Sequence, residues 1–225
     1  MKKLIILLAI LVVPSVAYLI LHTGKTNFTV PEIFGPKEPI LKTINGKQVV
    51  DTIYHTVGGF SLLSSDSAAI TESVVEGKFS VVDFFFTSCT TICPRMSGQF
   101  MRIQDKFKDN KDVVLLSFTV DPEHDTPSIL KQYAIAQKAI PNKWFFITGE
   151  KNSIYDLARN SYFATTLQGD GGDSDFVHSE KLVLVDKKKQ IRGFYDGTDP
   201  YETKKLMEDL DMLILEDKAA AEKKN

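Results

Sequence analysis

Cys89 and Cys93 are the only cysteines of the chain, four residues apart in Phe86-Thr-Ser-Cys-Thr-Thr-Ile-Cys-Pro. Two thiols at this spacing can close a disulfide, hold a soft metal ion, or pack as small apolar side chains in a core. If residues 89 to 93 are roughly helical, their Cα atoms lie about 6 Å apart, inside the disulfide window of about 4.4–6.8 Å. The same geometry aims both sulfurs to one side, where a third ligand could complete a metal site. Core packing explains the pair poorly, because both thiols fall at a junction between two elements. The apolar run Val81-Val-Asp-Phe-Phe-Phe leads into them, and Pro94 opens an amphipathic stretch after them. That pattern reads as strand, short loop and helix start. A helix N-terminus favours negative charge and so lowers the pKa of a nearby thiol.

The rest of the chain alternates in a way that frames this junction. A strand over 80–86 is followed by a helix near 94–108. A strand over Val113–Val120 precedes a helix near 127–139, and a strand over Trp144–Thr148 precedes a helix near 151–160. Strands over Lys181–Val185 and Gln190–Tyr195 then flank Lys187-Lys-Lys, which reads as a solvated hairpin turn. A last helix runs from about Pro200 to Glu216, and the Ala/Lys/Glu-rich tail 217–225 is expected to fray. Alternation of this kind implies parallel βαβ units, with the hairpin adding antiparallel strands at one side. The expected fold is therefore α/β, a thioredoxin-like arrangement. It carries an N-terminal β extension, with a hairpin around Asn45-Gly46. Phe60 to Ile70 holds a short apolar patch with turn signals, and Gly169-Asp-Gly-Gly-Asp-Ser-Asp reads as a loop that lacks calcium-loop spacing.

Residues 4–21 carry no charge and would rise about 27 Å as a helix, close to the thickness of a bilayer core. Lys2 and Lys3 precede them, which places the N-terminus in the cytoplasm and the remainder across the membrane. The rival is a cleaved signal peptide, but no small-x-small site follows the run, and no cysteine is available there for lipid attachment. The organisation expected is a single transmembrane anchor over 1–21, a tether over 22–41, one domain over 42–216 and the tail. Either N-terminal reading puts the domain outside the cytoplasm, where a disulfide persists. The net charge of −2 gives no electrostatic case for nucleic acid.

Four histidines are candidates for a third ligand. His22 sits at the expected membrane exit, and His55 falls in the N-terminal β region, where it reads as an edge-strand residue. His124 lies in Asp121-Pro-Glu-His-Asp-Thr-Pro, where Thr126 suits a helix cap and Pro127 the first helical position, so it reads as an exposed loop residue. His178 follows the Gly/Asp loop and precedes the apolar strand Lys181–Val185. In a thioredoxin-like fold that strand entry lies across from the cysteine loop, which makes His178 the candidate ligand.

Three segments together resemble the Sco/SenC family of membrane-anchored copper proteins. They are Phe84-Phe-Phe-Thr-Ser-Cys-Thr-Thr-Ile-Cys-Pro-Arg-Met, Thr119-Val-Asp-Pro-Glu-His-Asp-Thr-Pro and Phe176-Val-His-Ser, with Gly193-Phe-Tyr-Asp-Gly as a further likeness. The resemblance covers roughly residues 58–215. It implies copper binding by Cys89, Cys93 and His178, and a role in building the binuclear copper centre of cytochrome c oxidase. That role is either copper delivery or keeping the acceptor cysteines of the copper-bearing subunit reduced. The family often has proline between its cysteines, where this chain has Thr90 and Thr91.

The residues themselves agree with this. Two thiolates and an imidazole form a soft, low-coordinate set that suits copper(I) and also holds copper(II). Zinc accepts the same set, but a structural zinc site usually has four protein ligands. A different class of function is a thiol–disulfide oxidoreductase acting on partner proteins. Such enzymes commonly use Cys-x-x-Cys with a proline at the later strand entry, whereas here the spacer is three residues and Val177-His178 stands at that entry. A peroxidase would leave His178 unexplained. Copper loading requires reduced thiols, so the metal and redox readings are linked.

Overall fold

Every residue of Phe79–Phe85 is buried, and the chain is built around that strand. The computed structural model describes residues 2–3, 10–16, 18, 29–44, 46–164 and 179–223. Strands β3 (Ser61–Ser64), β4 (Ala69–Thr71), β5 (Phe79–Phe85), β6 (Val113–Thr119), β7 (Trp144–Thr148), β8 (Lys181–Val185) and β9 (Ile191–Asp196) form one sheet, ordered β4-β3-β7-β6-β5-β8-β9. β5, β6 and β7 are mutually parallel, and the β8–β9 hairpin runs antiparallel beside β5. Helices α1 (Cys93–Phe107), α2 (Pro127–Ala136), α3 (Lys151–Asp156) and α4 (Pro200–Glu222) follow the alternation read from the sequence. The Phe60–Ile70 patch forms the β3–β4 hairpin, which extends the sheet beyond β7.

The side-chain period of two sorts the core into two layers. Phe79, Val81 and Phe85 face α1 and α4, joining Phe100, Ile103 and Leu210. Val82 and Phe84 face the other way, against Ile154, Leu157 and Tyr162. A strand buried on both faces loses the apolar–polar alternation, which is why this segment reads as a continuous apolar run. Asp83 shares the parity of Val81 and Phe85, so its carboxyl group is directed to the α1 side. Helix α1 buries Cys93, Met96, Phe100, Ile103 and Phe107, at the spacing of one helical face.

Before the sheet, β1 (Lys37–Ile44) and β2 (Lys47–Tyr54) form a separate antiparallel hairpin whose register closes on Ile44 opposite Lys47. Gly46 has φ of +76°, as a two-residue hairpin loop requires. Strand β1 begins at Lys37, so the extended structure starts before the expected end of the tether at residue 41. Pro39 is tolerated there because β1 has a single pairing partner.

Three other expectations need correction. The segment 217–222 does not fray but continues α4 to Glu222, because its Ala, Lys and Glu are strong helix formers and Lys187 Nζ lies 2.8 Å from Asp217. That contact, with Lys187–Asp112 at 2.7 Å, also shows that the lysine-rich turn is fastened to its neighbours rather than wholly solvated. His55 is not simply an edge residue: Nε2 lies 2.7 Å from the Ser161 carbonyl oxygen, and its ring packs 4.6 Å from Phe163. Among the described residues no helix is long and apolar enough to cross a membrane. Much of the run 4–21, where the anchor is expected, lies outside them, as do His22 and the Gly/Asp loop 169–175.

Candidate metal and redox site

Where β5 ends, the chain turns through Phe86–Ile92 and enters α1 at Cys93. The expectation of a helical 89–93 segment does not hold. Cys89 to Ile92 form a loop, and only Cys93 is helical. The thiols come together by another route. The Cys93 backbone N–H points at Cys89 Sγ, 3.5 Å away, so the sulfur satisfies one of the donors that every helix start leaves open. The Thr91 hydroxyl lies 3.7 Å from the same sulfur. Ile92, at the cap position, makes no side-chain capping bond, which leaves that role to the thiol. Both cysteines are buried and unbridged.

The two thiols differ sharply in acidity. Burial works to raise the Cys89 pKa, but the hydrogen bonds from Cys93 and Thr91 to its thiolate outweigh it and bring the value down to about 7. Burial pushes Cys93 up to about 12, with the neighbouring Cys89 and Asp83 adding to the rise. Asp83 itself is raised to about 7 by burial, opposed by a hydrogen bond with Ser117 across the sheet. Its Oδ1 is a buried oxygen with no hydrogen-bond partner. At neutral pH Cys89 is therefore the thiol with substantial thiolate character, while Cys93 keeps its proton.

This asymmetry has a measurable consequence. Iodoacetamide labels the reduced protein at Cys89 with a midpoint near pH 7, falling about tenfold per pH unit below it. Cys93 labels at least about 100-fold more slowly at pH 8, because almost none of it is thiolate. Peptide mapping after timed labelling reads both rates, and equal labelling of the two would refute the assigned asymmetry.

The loop is fastened from below. Thr87, two residues before Cys89, donates its backbone N–H to Asp125 Oδ2 at 2.9 Å and its hydroxyl to Asp125 Oδ1. Thr119 donates to Oδ2 at 2.6 Å, and His124 Nδ1 lies 2.9 Å from Oδ1. The Asp125 carboxylate holds the exposed His124 imidazole above its ordinary pKa, chiefly through that hydrogen bond. Thr126 occupies the cap position of α2, as expected, but its hydroxyl makes no capping bond.

His178 lies outside the described residues, and Ser179, which follows it, lies within them. Ser179 Oγ donates to the Ala164 carbonyl oxygen at 2.6 Å, and β8 begins two residues later at Lys181. β8 is antiparallel to β5, with Val82 opposite Val183, so the start of β8 lies beside the end of β5 from which the cysteine loop departs. Among the described residues no group of three His, Cys, Asp or Glu side chains could hold a metal ion. The soft donors present are the two thiols. They fit a thiophilic cargo such as copper, provided a further ligand comes from outside those residues.

Asp83, Thr87 and Asp125 were not singled out from the sequence. A signal existed for two of them: a lone carboxylate inside an apolar strand, and a second aspartate in a segment that carries both the helix start and part of the family likeness.

Residues 50–215 match the family model described as SCO1/SenC. A SCO1 protein homolog of Bacillus subtilis is 32% identical over 161 residues, covering 70% of this chain and 83% of the relative. BsSco, described as a member of the Sco family of cytochrome c oxidase assembly proteins with a disulfide switch, superposes with a TM-score of 0.59 at 29% identity. That match covers 72% of this chain and 95% of BsSco. Arabidopsis thaliana ScoI with copper bound superposes with a TM-score of 0.55 at 29% identity, over 69% of this chain and 98% of ScoI.

Proposed function

The chain belongs to the SCO1/SenC family, and from that premise we propose that it is a copper-binding assembly factor for the binuclear copper centre of cytochrome c oxidase. Copper is its cargo, held by Cys89, Cys93 and His178. The observation that carries this reading is the meeting of the two thiols at the head of α1, with the Cys93 N–H directed at Cys89 Sγ. The strand that follows His178 starts beside the exit of β5, which supports including it in the set. Two thiolates and one imidazole leave coordination positions open, which suits a metal that must be passed on. The copper-bound relative of the same fold supports the choice of metal.

The depressed pKa of Cys89 also favours a redox duty, the second reading. The Cys89 thiolate attacks a disulfide of the acceptor subunit, forming a mixed disulfide and releasing one acceptor thiolate. Cys93 loses its proton and attacks Cys89 Sγ, which expels the second acceptor thiolate and leaves the Cys89–Cys93 disulfide. The acceptor gains two electrons and two protons, and its dithiol is ready for copper. A relative with a disulfide switch accords with this step. The uncharged run 4–21 would tether the domain to the outer face of the cytoplasmic membrane.

The test is metal competition. The reduced full chain in detergent, exposed to equimolar copper and zinc and then desalted, retains one copper and little zinc. The oxidised chain retains neither. Zinc retained in preference, or equal copper loading of both redox forms, would defeat the copper assignment.

A further inference from the structure

The segment Asp121-Pro-Glu-His-Asp-Thr-Pro lies between β6 and α2, and nothing in the proposed ligand set uses it. Its buried member is Asp125, with no solvent exposure, beneath the cysteine loop. A carboxylate that accepts four hydrogen bonds has its lone pairs filled. Here the donors are the Thr87 N–H, the Thr87 hydroxyl, the Thr119 hydroxyl and the His124 ring. Two of the four come from Thr87, the residue that starts the turn carrying Cys89. Asp125 is itself tied down, because its own N–H donates to the Asp121 carbonyl oxygen at 2.8 Å. The Val120 N–H bonds Phe85 O at 2.8 Å, which joins the ends of β5 and β6 at the same level. The loop therefore leaves β5 with its first turn clamped to a buried charge. Two residues later its sulfur meets the head of α1.

We propose that Asp125 is a positioning residue that, through Thr87, holds Cys89 in register with Cys93 and so sets the thiol–disulfide equilibrium of the pair. This rests on the reading of Cys89 and Cys93 as a working pair. A clamped Thr87 restricts the paths of Cys89, so each thiol meets the other at a high effective concentration. Without the clamp the loop samples other turns, and the disulfide must then pay the ordering entropy that the carboxylate now removes in advance. The reaction concerned is the oxidation of two thiols to one disulfide by a low-molecular-weight disulfide. Cys89 and Cys93 give up two protons and two electrons, and the oxidant leaves as two thiols.

The experiment uses the full chain in detergent, equilibrated with defined mixtures of reduced and oxidised glutathione, acid-quenched and counted for free thiols. Asp125→Ala moves the equilibrium toward the dithiol by about tenfold. Asp125→Asn stays within about threefold of the original, since its amide oxygen accepts from Thr87 N–H and Thr119 while its nitrogen donates to the Thr87 hydroxyl and the His124 ring. Ile70→Ala, in the distant edge strand β4, lowers resistance to urea and leaves the equilibrium unmoved. An Asp125→Ala equilibrium within twofold of the original chain would overturn the proposal, as would an equal shift in Ile70→Ala. If Asp125→Ala does not fold, Thr87→Val decides, because it keeps the N–H and removes the hydroxyl. A shift of about threefold toward the dithiol supports the clamp, and an unchanged or opposite result removes it. An original chain that forms no disulfide and takes up no copper would instead overturn the functional reading and this inference with it. Unmoved variants of a chain that does both would sink the clamp alone.

Discussion

Replacing either Cys89 or Cys93 by alanine abolishes tight copper binding by the reduced protein. A four-ligand thiolate or imidazole site holds its metal with about 10–16 kcal/mol, or about 3 kcal/mol per ligand. Losing one thiolate of two therefore lowers affinity by about a hundredfold or more. The loss is steeper than for an average site, because the soft donors are the part of the set that selects copper. The fold should survive the change, since alanine removes one buried sulfur and no backbone group. The two variants are not equivalent in their remaining chemistry. Cys93→Ala keeps the thiol at position 89 and the backbone N–H at position 93 that lowers its pKa. It therefore still reacts with iodoacetamide near neutral pH. Cys89→Ala leaves a thiol that burial keeps protonated, and it is nearly inert to the same reagent. Competition against a chromogenic copper(I) chelator, with circular dichroism as the check on folding, gives the affinities. Retention of full affinity by either variant would remove the thiol pair from the site.

That asymmetry was only half legible in the sequence. A strand followed by a cysteine and a proline-led helix predicts one activated thiol, and the helix start does lie at Cys93. What the pattern could not give was the loop between the cysteines. A helix from 89 to 93 brings the two cysteines together on paper, but residues 89 to 92 are not helical. The actual contact is a thiol accepting the first open N–H of α1. The sheet core was legible because it is local and periodic: β7 and β8 fall within the residues expected from their apolar runs. The β3–β4 hairpin was harder to read, since strands of four and three residues carry little period and gain their pairing from β7, far away in sequence. Asp125 shows the same limit from the side of the site. Its residue type and neighbours suit a helix start, and they do exclude a core strand. Nothing local reveals that Thr87, 38 residues earlier, donates to that carboxylate.

The same distinction between local pattern and long-range placement bears on the third ligand. His178→Ala weakens copper(II) binding by about a hundredfold or more and leaves the Cys89–Cys93 disulfide able to form. Both thiols remain, so oxidation to the disulfide needs nothing from position 178. Copper(II) loses the nitrogen donor that suits it well, whereas copper(I) keeps part of its affinity on two thiolates. His124→Ala is the matched control. Its ring is exposed, and its Nδ1 is engaged with Asp125 at 2.9 Å, on the β6–α2 connection. Removing that ring takes one of four donors from the carboxylate and leaves both Thr87 bonds in place. Copper(II) affinity therefore stays within about threefold. The two histidines differ in where their segments attach. One belongs to a hydrogen-bonded support, and the other precedes Ser179, whose hydroxyl pins the entry of β8 beside the cysteine end of β5. Thiolate-to-copper(II) absorption and titrated affinity of the two variants, measured side by side, decide between them. Loss of the absorption band in His124→Ala with retention in His178→Ala would reverse the assignment. Retention in both would place the third ligand elsewhere, and the copper reading would then need a donor that neither histidine supplies.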